Sequence, residues 1–337
     1  MLTRRELGRM ALSVPAACLL AGRAAARGRP DSKWGGVQVG IIAPYAFQRT
    51  ANTAEEILDA VVALGISAVE LQNDPVERYA GAPEMPRFSG PPPSTSARPR
   101  TSGAPGTAPT SPPRRELTPE QQEERRRRAE ELRTWRLSVP MAKFEELRRR
   151  YNDAGVHIYA FKLALTDQMP DAEFDYAFRV AKTLGASHLT MELPDRNPAL
   201  TARIARFGEK HGIVAGYHQH EQATFTLWDE ALAQSPWNGI NLDIGHYVAG
   251  TSESPIPFIE RHHARITSIH LKDRRKNRGP NVPWGQGDTP IREVLQLMKR
   301  NGYTFPATIE LEYRVEGSDP MTELRKCVEF CRNALEG

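Results

Sequence analysis

The chain has 337 residues, of which 39% are hydrophobic, and 45 Lys and Arg against 41 Asp and Glu give a formal net charge of +4. This length and composition are typical of a soluble globular protein with a large core. Much of the positive charge falls in the first 29 residues and in the four arginines at 125–128, and the rest is close to neutral. The charge therefore argues only weakly for a nucleic-acid-binding protein.

Residues 1–29 have the pattern of an export signal. A basic start is followed by an apolar run and then by small residues that end at Ala26, an A-x-A-like cleavage site. The start Thr3-Arg4-Arg5 resembles a twin-arginine signal. An ordinary secretory signal or a membrane anchor is the alternative, but the run is shorter than the about 20 residues that span a bilayer. We expect cleavage near Ala26, a periplasmic product and no stable membrane insertion.

From Val37 onward, short β-branched runs alternate with longer amphipathic stretches, several of which begin at a capping Thr or Asp and close at Gly. Eight strands, each followed by a helix, predict an α/β fold of the (β/α)8 TIM barrel type over residues 37–337. A doubly wound open sheet is the alternative, but "GIIAPYAF" is not the Gly-rich turn expected after its first strand. The predicted strands begin at Val37, Ala68, Val156, His188, Ile213, Gly239, Ile266 and Ala307.

Residues 73–137 interrupt this pattern as a Pro-rich, partly disordered insertion after strand 2. Residues 83–113 are rich in Pro, Ser, Thr and Gly, a composition that cannot form a packed core. The stretch "TPEQQEERRRRAEELRTW" that follows predicts a solvated helix capped by Thr118, with Pro119 in its first turn. The insertion lies on the rim where barrel active sites open, and both a lid and a tether fit it.

Polar residues interrupt the apolar strands near their C-terminal ends. In a barrel these ends meet at one mouth, where the chemistry of such enzymes takes place. The alternative is that each polar residue is hydrogen-bonded separately at the end of its own strand. Polar residues at the ends of seven consecutive strands argue against this alternative. The residues are Glu70, Lys162, Glu192, His218, His220, Asp243, His270, Lys272, Glu310 and Glu312.

Four of these residues form a set suited to a metal ion. Glu192, Asp243, His270 and Glu310 come from strands 4, 6, 7 and 8 and supply three carboxylates and one imidazole. Such a mixed oxygen and nitrogen set suits one divalent ion, with Mn²⁺ favoured over Mg²⁺, Co²⁺, Fe²⁺ and Zn²⁺. Without a cation the carboxylates would repel one another.

Five motifs occur in the order MELP, NLDIGH, SIHLKD, WGQGDTP and TIELEY. This ordered set resembles the sugar phosphate isomerase/epimerase family, which has a xylose isomerase-like TIM barrel and includes ketose 3-epimerases and inosose dehydratases. The resemblance covers about residues 37–335 without the insertion. It is specific for the superfamily and not for the reaction.

The resemblance also implies roles for individual residues. It assigns the single divalent ion to Glu192, Asp243, His270 and Glu310, and it makes Glu192 and Glu310 the acid/base pair. The tandem "HQH" resembles an H-N-H motif that brings two histidines to the pocket, whereas Gln219 points the other way. For Lys162 the alternative is an internal ion pair with Glu70 or Glu192. The predicted substrate-binding residues are His246, His218, His220, Lys162, Lys272 and Glu70.

These residues predict a metal-dependent sugar isomerase or epimerase that removes a proton next to a carbonyl through a metal-stabilised enediolate. The expected partner is a small carbohydrate, either a free sugar, a keto-sugar or an oxidised glycoside, because no Gly-rich phosphate cradle follows strands 7 and 8. A dehydratase or lyase that uses the same site is the alternative. An apurinic endonuclease with three zinc ions and a non-catalytic carbohydrate-binding protein are further alternatives, and a homo-oligomer stays open.

Overall fold

The computed structural model describes residues 29–84 and 118–337. The predicted export signal, apart from Arg29, and the Pro-rich stretch from residue 85 onward lie outside these ranges. Within them, no helix is both long enough and apolar enough to cross a membrane.

Eight parallel strands form a closed barrel, which confirms the predicted (β/α)8 fold. Each strand pairs with the next along the chain, and the first also pairs with the last, with Val39 opposite Ala307. A short strand β1, Lys33–Trp34, pairs antiparallel with the first barrel strand. The barrel strands are β2 Val37–Ala43, β3 Ala68–Gln72, β4 His157–Lys162, β5 His188–Glu192, β6 Val214–His218, β7 Asn238–Asp243, β8 Ile266–Leu271 and β9 Ala307–Ile309.

Helices surround the barrel and cover its outer face with one large apolar core. Several helices end at a glycine in the left-handed conformation, such as Gly185 and Gly302, as predicted from the Gly positions in the sequence. The helices are α1 Ala54–Ala63, α2 Asn73–Tyr79, α3 Pro119–Ser138, α4 Ala142–Asp153, α5 Asp171–Leu184, α6 Pro198–His211, α7 Asp229–Gln234, α8 Ile244–Thr251, α9 Ile256–His262, α10 Ile291–Asn301 and α11 Pro320–Glu336.

The charged stretch of the insertion forms helix α3, as predicted. The Thr118 side chain accepts a hydrogen bond from the Gln121 backbone, and the Gln121 side chain accepts one from Thr118. The end of α3 is not solvated, because Arg136 is buried and forms ion pairs with Glu77 of α2 at 2.7 Å and Glu173 of α5 at 3.0 Å. These buried ion pairs fix α3 to the barrel.

The chain turns from strand to helix earlier than expected at the "NLDIGH" motif. The alternation of Ile240, Leu242 and Ile244 predicts a strand that runs on to Gly245, but β7 ends at Asp243 and α8 begins at Ile244. Asp243 is the N-cap residue of α8, since its side chain accepts a hydrogen bond from the backbone N–H of His246. His246 therefore lies in the first turn of a helix.

Candidate active site

The predicted site residues meet at the C-terminal mouth of the barrel. Glu192, His218 and Asp243 are the last residues of β5, β6 and β7. The strand register sets Glu192 beside His218 and Asp243 beside His270, and Glu310 directly follows β9. Adjacent parallel strands thus bring these side chains together at the C-terminal end of the barrel.

Four buried side chains form a compact group of possible metal ligands. His218, Asp243, His270 and Glu310 each offer one ligand atom, and these atoms lie within 4.8 Å of one another. Three of the four are predicted ligands, whereas His218 takes part where the sequence predicted Glu192. Two carboxylates and two imidazoles suit a divalent transition ion.

The surroundings of Asp243 test whether this group fits a cation. Its Oδ2 atom is buried and receives no hydrogen bond from any residue in the two described ranges. The Lys272 ammonium lies 3.0 Å from Oδ2 and 3.2 Å from Glu310 Oε1, so positive charge is already drawn to these carboxylates. A buried carboxylate oxygen without a hydrogen bond is a ready metal ligand, and the donor set therefore fits a divalent ion.

His270 is held between two carboxylates. Its Nδ1 lies 2.6 Å from Glu310 Oε2, and its Nε2 lies 2.9 Å from Glu70 Oε2. Burial lowers the pKa of His270, but the charges of Glu70 and Glu310 outweigh burial and raise it to about 10. Glu70 is fully buried and also accepts a hydrogen bond from Thr190 at 2.7 Å. Glu70 thus orients the ring of His270, as carboxylates behind metal-bound histidines do.

Glu192 lies at the edge of the buried group, with its side chain 48% exposed. It forms ion pairs with Lys162 and His220, both at 3.1 Å, so the ion pair expected as the alternative for Lys162 is present. Burial raises the pKa of Glu192, but the hydrogen bond from His220 and the charge of Lys162 outweigh burial. The pKa is therefore lowered below its ordinary value, and the carboxylate is ionised.

Two side chains of β6 and the loop after it support neighbouring groups. The Nδ1 atom of His218 lies 2.8 Å from Asn241 Oδ1, and burial together with the charge of Lys162 lowers the pKa of His218 to about 3. Gln219 is fully buried, and its amide forms two hydrogen bonds with the backbone of Asp243, at 2.7 and 3.0 Å. That clamp on Asp243 has no signal in the sequence pattern.

His246 is buried beside the group, and the sequence did not predict its partners. Its Nδ1 lies 2.7 Å from Arg274 Nη1, and its Nε2 lies 3.2 Å from Lys272 Nζ. Burial and the charge of Lys272 lower the pKa of His246 to about 3, so the ring is neutral. Arg274, in the loop after β8, is also buried.

Lys272 connects the group to the rim of the mouth. Its ammonium lies 2.6 Å from Glu312 Oε2, and Glu312 also accepts a hydrogen bond from the hydroxyl of the exposed Tyr45. Tyr45 was not a predicted site residue, although an aromatic residue just after the first barrel strand is a signal for one. Glycine at position 245 is required for this packing, since a Cβ atom there would lie 2.3 Å from Lys272 Cγ.

A sequence model of the xylose isomerase-like TIM barrel family matches residues 116–334. The chain belongs to this family. Among curated proteins, this xylose isomerase-like barrel is similar to L-ribulose-5-phosphate 3-epimerase UlaE of Escherichia coli, with 26% identity over 98 residues. That match spans 29% of this chain and 34% of the relative, so about one third of the relative's length is covered.

Solved structures share the fold at low sequence identity. D-psicose 3-epimerase from Clostridium cellulolyticum H10 is 13% identical, with a TM-score of 0.56 over 88% of this chain and 99% of that chain. The probable 3-DHS dehydratase AsbF of Bacillus anthracis is 12% identical, with a TM-score of 0.56 over 87% of this chain and 97% of that chain. At this level of identity the two structures show that the fold is shared, and they do not select a reaction.

Proposed function

We propose that this protein is a divalent-metal-dependent isomerase or epimerase of a non-phosphorylated sugar, keto-sugar or oxidised glycoside, and that it removes a proton next to a carbonyl. The observation that carries the proposal is the buried group of His218, Asp243, His270 and Glu310, with the half-exposed Glu192 at its edge. The epimerase names of the relative and of a structural neighbour support the same reaction class.

Asp243, His270 and Glu310 would hold the ion, and His218 of β6 or Glu192 of β5 would supply a further ligand. A bound divalent ion would stabilise the negative charge that develops on the substrate oxygens as the proton leaves, and Mn²⁺ suits the mixed donor set best. The clamp of Gln219 on the Asp243 backbone and the bond from Glu70 to His270 keep two of these ligands in place.

The chain offers two ionised carboxylates for proton transfer. Burial raises the pKa of Glu310, but the charges of Lys272 and His270 outweigh it and hold this pKa well below its usual range, and the pKa of Glu192 is lowered too. Either carboxylate is therefore able to accept a proton from carbon, and the other can return one to the opposite face. Lys162, Lys272, His220 and His246 are proposed to orient the substrate oxygens.

The loop after β8 supports a substrate without a phosphate group. In TIM barrels the backbone N–H groups after the seventh and eighth barrel strands, here β8 and β9, often bind phosphate. Here three such groups, from Gly285, Gly287 and Thr289, donate to the Asp273 carboxylate at 2.8, 2.9 and 3.2 Å. These donors are used within the protein, and Asp273 adds a negative charge that would repel a phosphate.

The test combines metal analysis with NMR of aldoses, ketoses and 3-keto-glycosides in D₂O. We expect about one divalent ion per chain and exchange of the hydrogen next to the carbonyl for deuterium. Exchange followed by loss of water or of a glycosidic group would assign the lyase alternative. Sugar binding without any exchange would overturn catalysis in favour of a binding protein, and three zinc ions per chain would favour a nuclease.

A further inference from the structure

Arg274 is buried in the loop that follows β8, and it contacts helix α8, the loop after β6 and a backbone carbonyl of its own loop. Its Nη1 lies 2.7 Å from Nδ1 of His246, in the first turn of α8. Its Nη2 lies 2.6 Å from Glu221 Oε1, in the loop after β6, and 2.7 Å from the carbonyl oxygen of Gly279. The side chain of Arg274 is only 7% exposed, so these contacts hold it in one orientation.

The contact with Arg274 determines which nitrogen of His246 carries the proton. A guanidinium group only donates hydrogen bonds and stays charged in proteins. The Nδ1 atom of His246 must therefore accept, which leaves the proton of the neutral ring on Nε2. The Lys272 ammonium can also only donate, but its contact with Nε2 is longer, at 3.2 Å. It forms ion pairs with three carboxylates instead, those of Asp243, Glu310 and Glu312.

We propose that Arg274 is a positioning residue that fixes His246 in the tautomer with the proton on Nε2, so that His246 donates a hydrogen bond to a substrate oxygen and does not act as a base. This inference rests on the proposed function, since it concerns the same pocket. It goes further because it assigns the direction of one hydrogen bond and names the residue that sets it.

The neighbours of His246 agree with a donor role. Its ring lies 4.6 Å from the ring of His220, which bonds to Glu192, so Nε2 belongs to the same pocket as the proposed acid/base carboxylate. A neutral imidazole that donates from Nε2 polarises a carbonyl without adding a charged group to the site. A histidine whose Nδ1 donates to a carboxylate would have the opposite polarity and could accept a proton at Nε2.

The tautomer can be measured without a substrate. The full-length protein labelled with ¹⁵N in its histidines is loaded with the diamagnetic ion Mg²⁺, and two-bond ¹H–¹⁵N correlations are recorded at neutral pH. The His246→Gln variant identifies the signals of His246 by their loss. We expect an N–H-type shift at Nε2 and a lone-pair-type shift at Nδ1. The reverse pattern in the wild-type protein would overturn the proposal.

Variants at two adjacent arginines separate positioning from general electrostatics. Arg274→Met should populate the tautomer of His246 with the proton on Nδ1. It should lower kcat on the order of tenfold to a hundredfold, because the substrate oxygen loses an aligned hydrogen-bond donor. Arg274→Lys retains a donor and should restore the wild-type shifts. Arg275→Met is the matched control, since this half-exposed neighbour contacts Asp288 at 3.7 Å and should change neither shifts nor kcat.

Three further outcomes separate the role of Arg274 from the proposed function. Unchanged shifts in a folded Arg274→Met protein would overturn the role of Arg274, whatever the activity. If Arg274→Met does not fold, Glu221→Gln, which weakens one anchor of Arg274, should still shift the tautomer signals, and unchanged signals there would count against the proposal. A protein without deuterium exchange on any sugar would refute the proposed function and leave the tautomer result standing.

Discussion

The Oδ1 atom of Asp243 accepts a hydrogen bond from the backbone N–H of His246 at 2.7 Å, while its Oδ2 faces the Lys272 ammonium at 3.0 Å. One carboxylate therefore begins helix α8 and also offers an oxygen to the buried group of ligands. The position of His246 depends on this hydrogen bond. Asp243, a candidate metal ligand, therefore helps to position His246, a proposed substrate contact.

Substitutions at Asp243 should separate its two roles. Asn caps helices about as well as Asp, so Asp243→Asn should keep α8 but lose the negative charge. We expect metal affinity, measured by calorimetry, to fall at least about 100-fold. Asp243→Ala also removes the cap and should lower the free energy of unfolding by about 1 kcal/mol more. Wild-type metal affinity in Asp243→Asn would show that Asp243 is not a ligand.

Glu192→Gln tests the proposed acid/base carboxylate. Gln has nearly the same shape but cannot accept a proton, and we expect kcat to fall about 10²- to 10⁴-fold while metal remains bound. The measurement is turnover on a confirmed substrate together with metal analysis of the same sample. Glu209→Gln, at an exposed glutamate of α6, is the control and should retain full activity. Full turnover in Glu192→Gln would remove this residue from the mechanism.

Glu70→Gln distinguishes orientation of His270 from contact with substrate. Because Glu70 is fully buried and bonded to His270 Nε2, the variant should bind metal about 10- to 100-fold more weakly. At saturating metal its KM for the sugar should match that of the wild type. A raised KM with unchanged metal affinity would instead support the substrate contact predicted from the sequence.

Arg136→Met should destabilise the protein, because it leaves Glu77 and Glu173 as buried carboxylates without this partner. The expected loss is about 3–5 kcal/mol in the free energy of unfolding, measured with urea. Arg126→Met on the same helix is the control, since that side chain is 75% exposed, and should change stability by no more than about 0.5 kcal/mol. Equal effects would mean that the buried ion pairs do not fix α3.

The N-terminal pattern predicts export through the twin-arginine route. Replacing both Arg4 and Arg5 by Lys should keep a signal-reporter fusion in the cytoplasm, because that route reads the arginine pair. Cell fractionation measures the outcome, and Arg23→Lys outside the pair is the control. Continued export of the double variant would favour the ordinary secretory signal.

The sequence predicted the barrel and the residues at its mouth. The periodicity of the strands and the glycines that end the helices depend on residues close together in the sequence, so both can be predicted from the sequence alone. The same reasoning predicted Asp243, His270 and Glu310 as neighbours, because the C-terminal ends of parallel strands meet at one mouth. It misjudged the strand end at Asp243, because Ile244 continues the strand alternation just as well as it begins a helix.

Only the tertiary structure decided how these side chains pair. His246 lies in helix α8, whereas Arg274 and Glu221 lie in the loops after β8 and β6, so no spacing rule predicts that a guanidinium holds one nitrogen of the histidine. Likewise, the exposure of Glu192 and the inclusion of His218 depend on side-chain directions set by neighbouring strands. Local periodicity fixes where a polar group enters the mouth, whereas packing across the barrel fixes which atom it contacts.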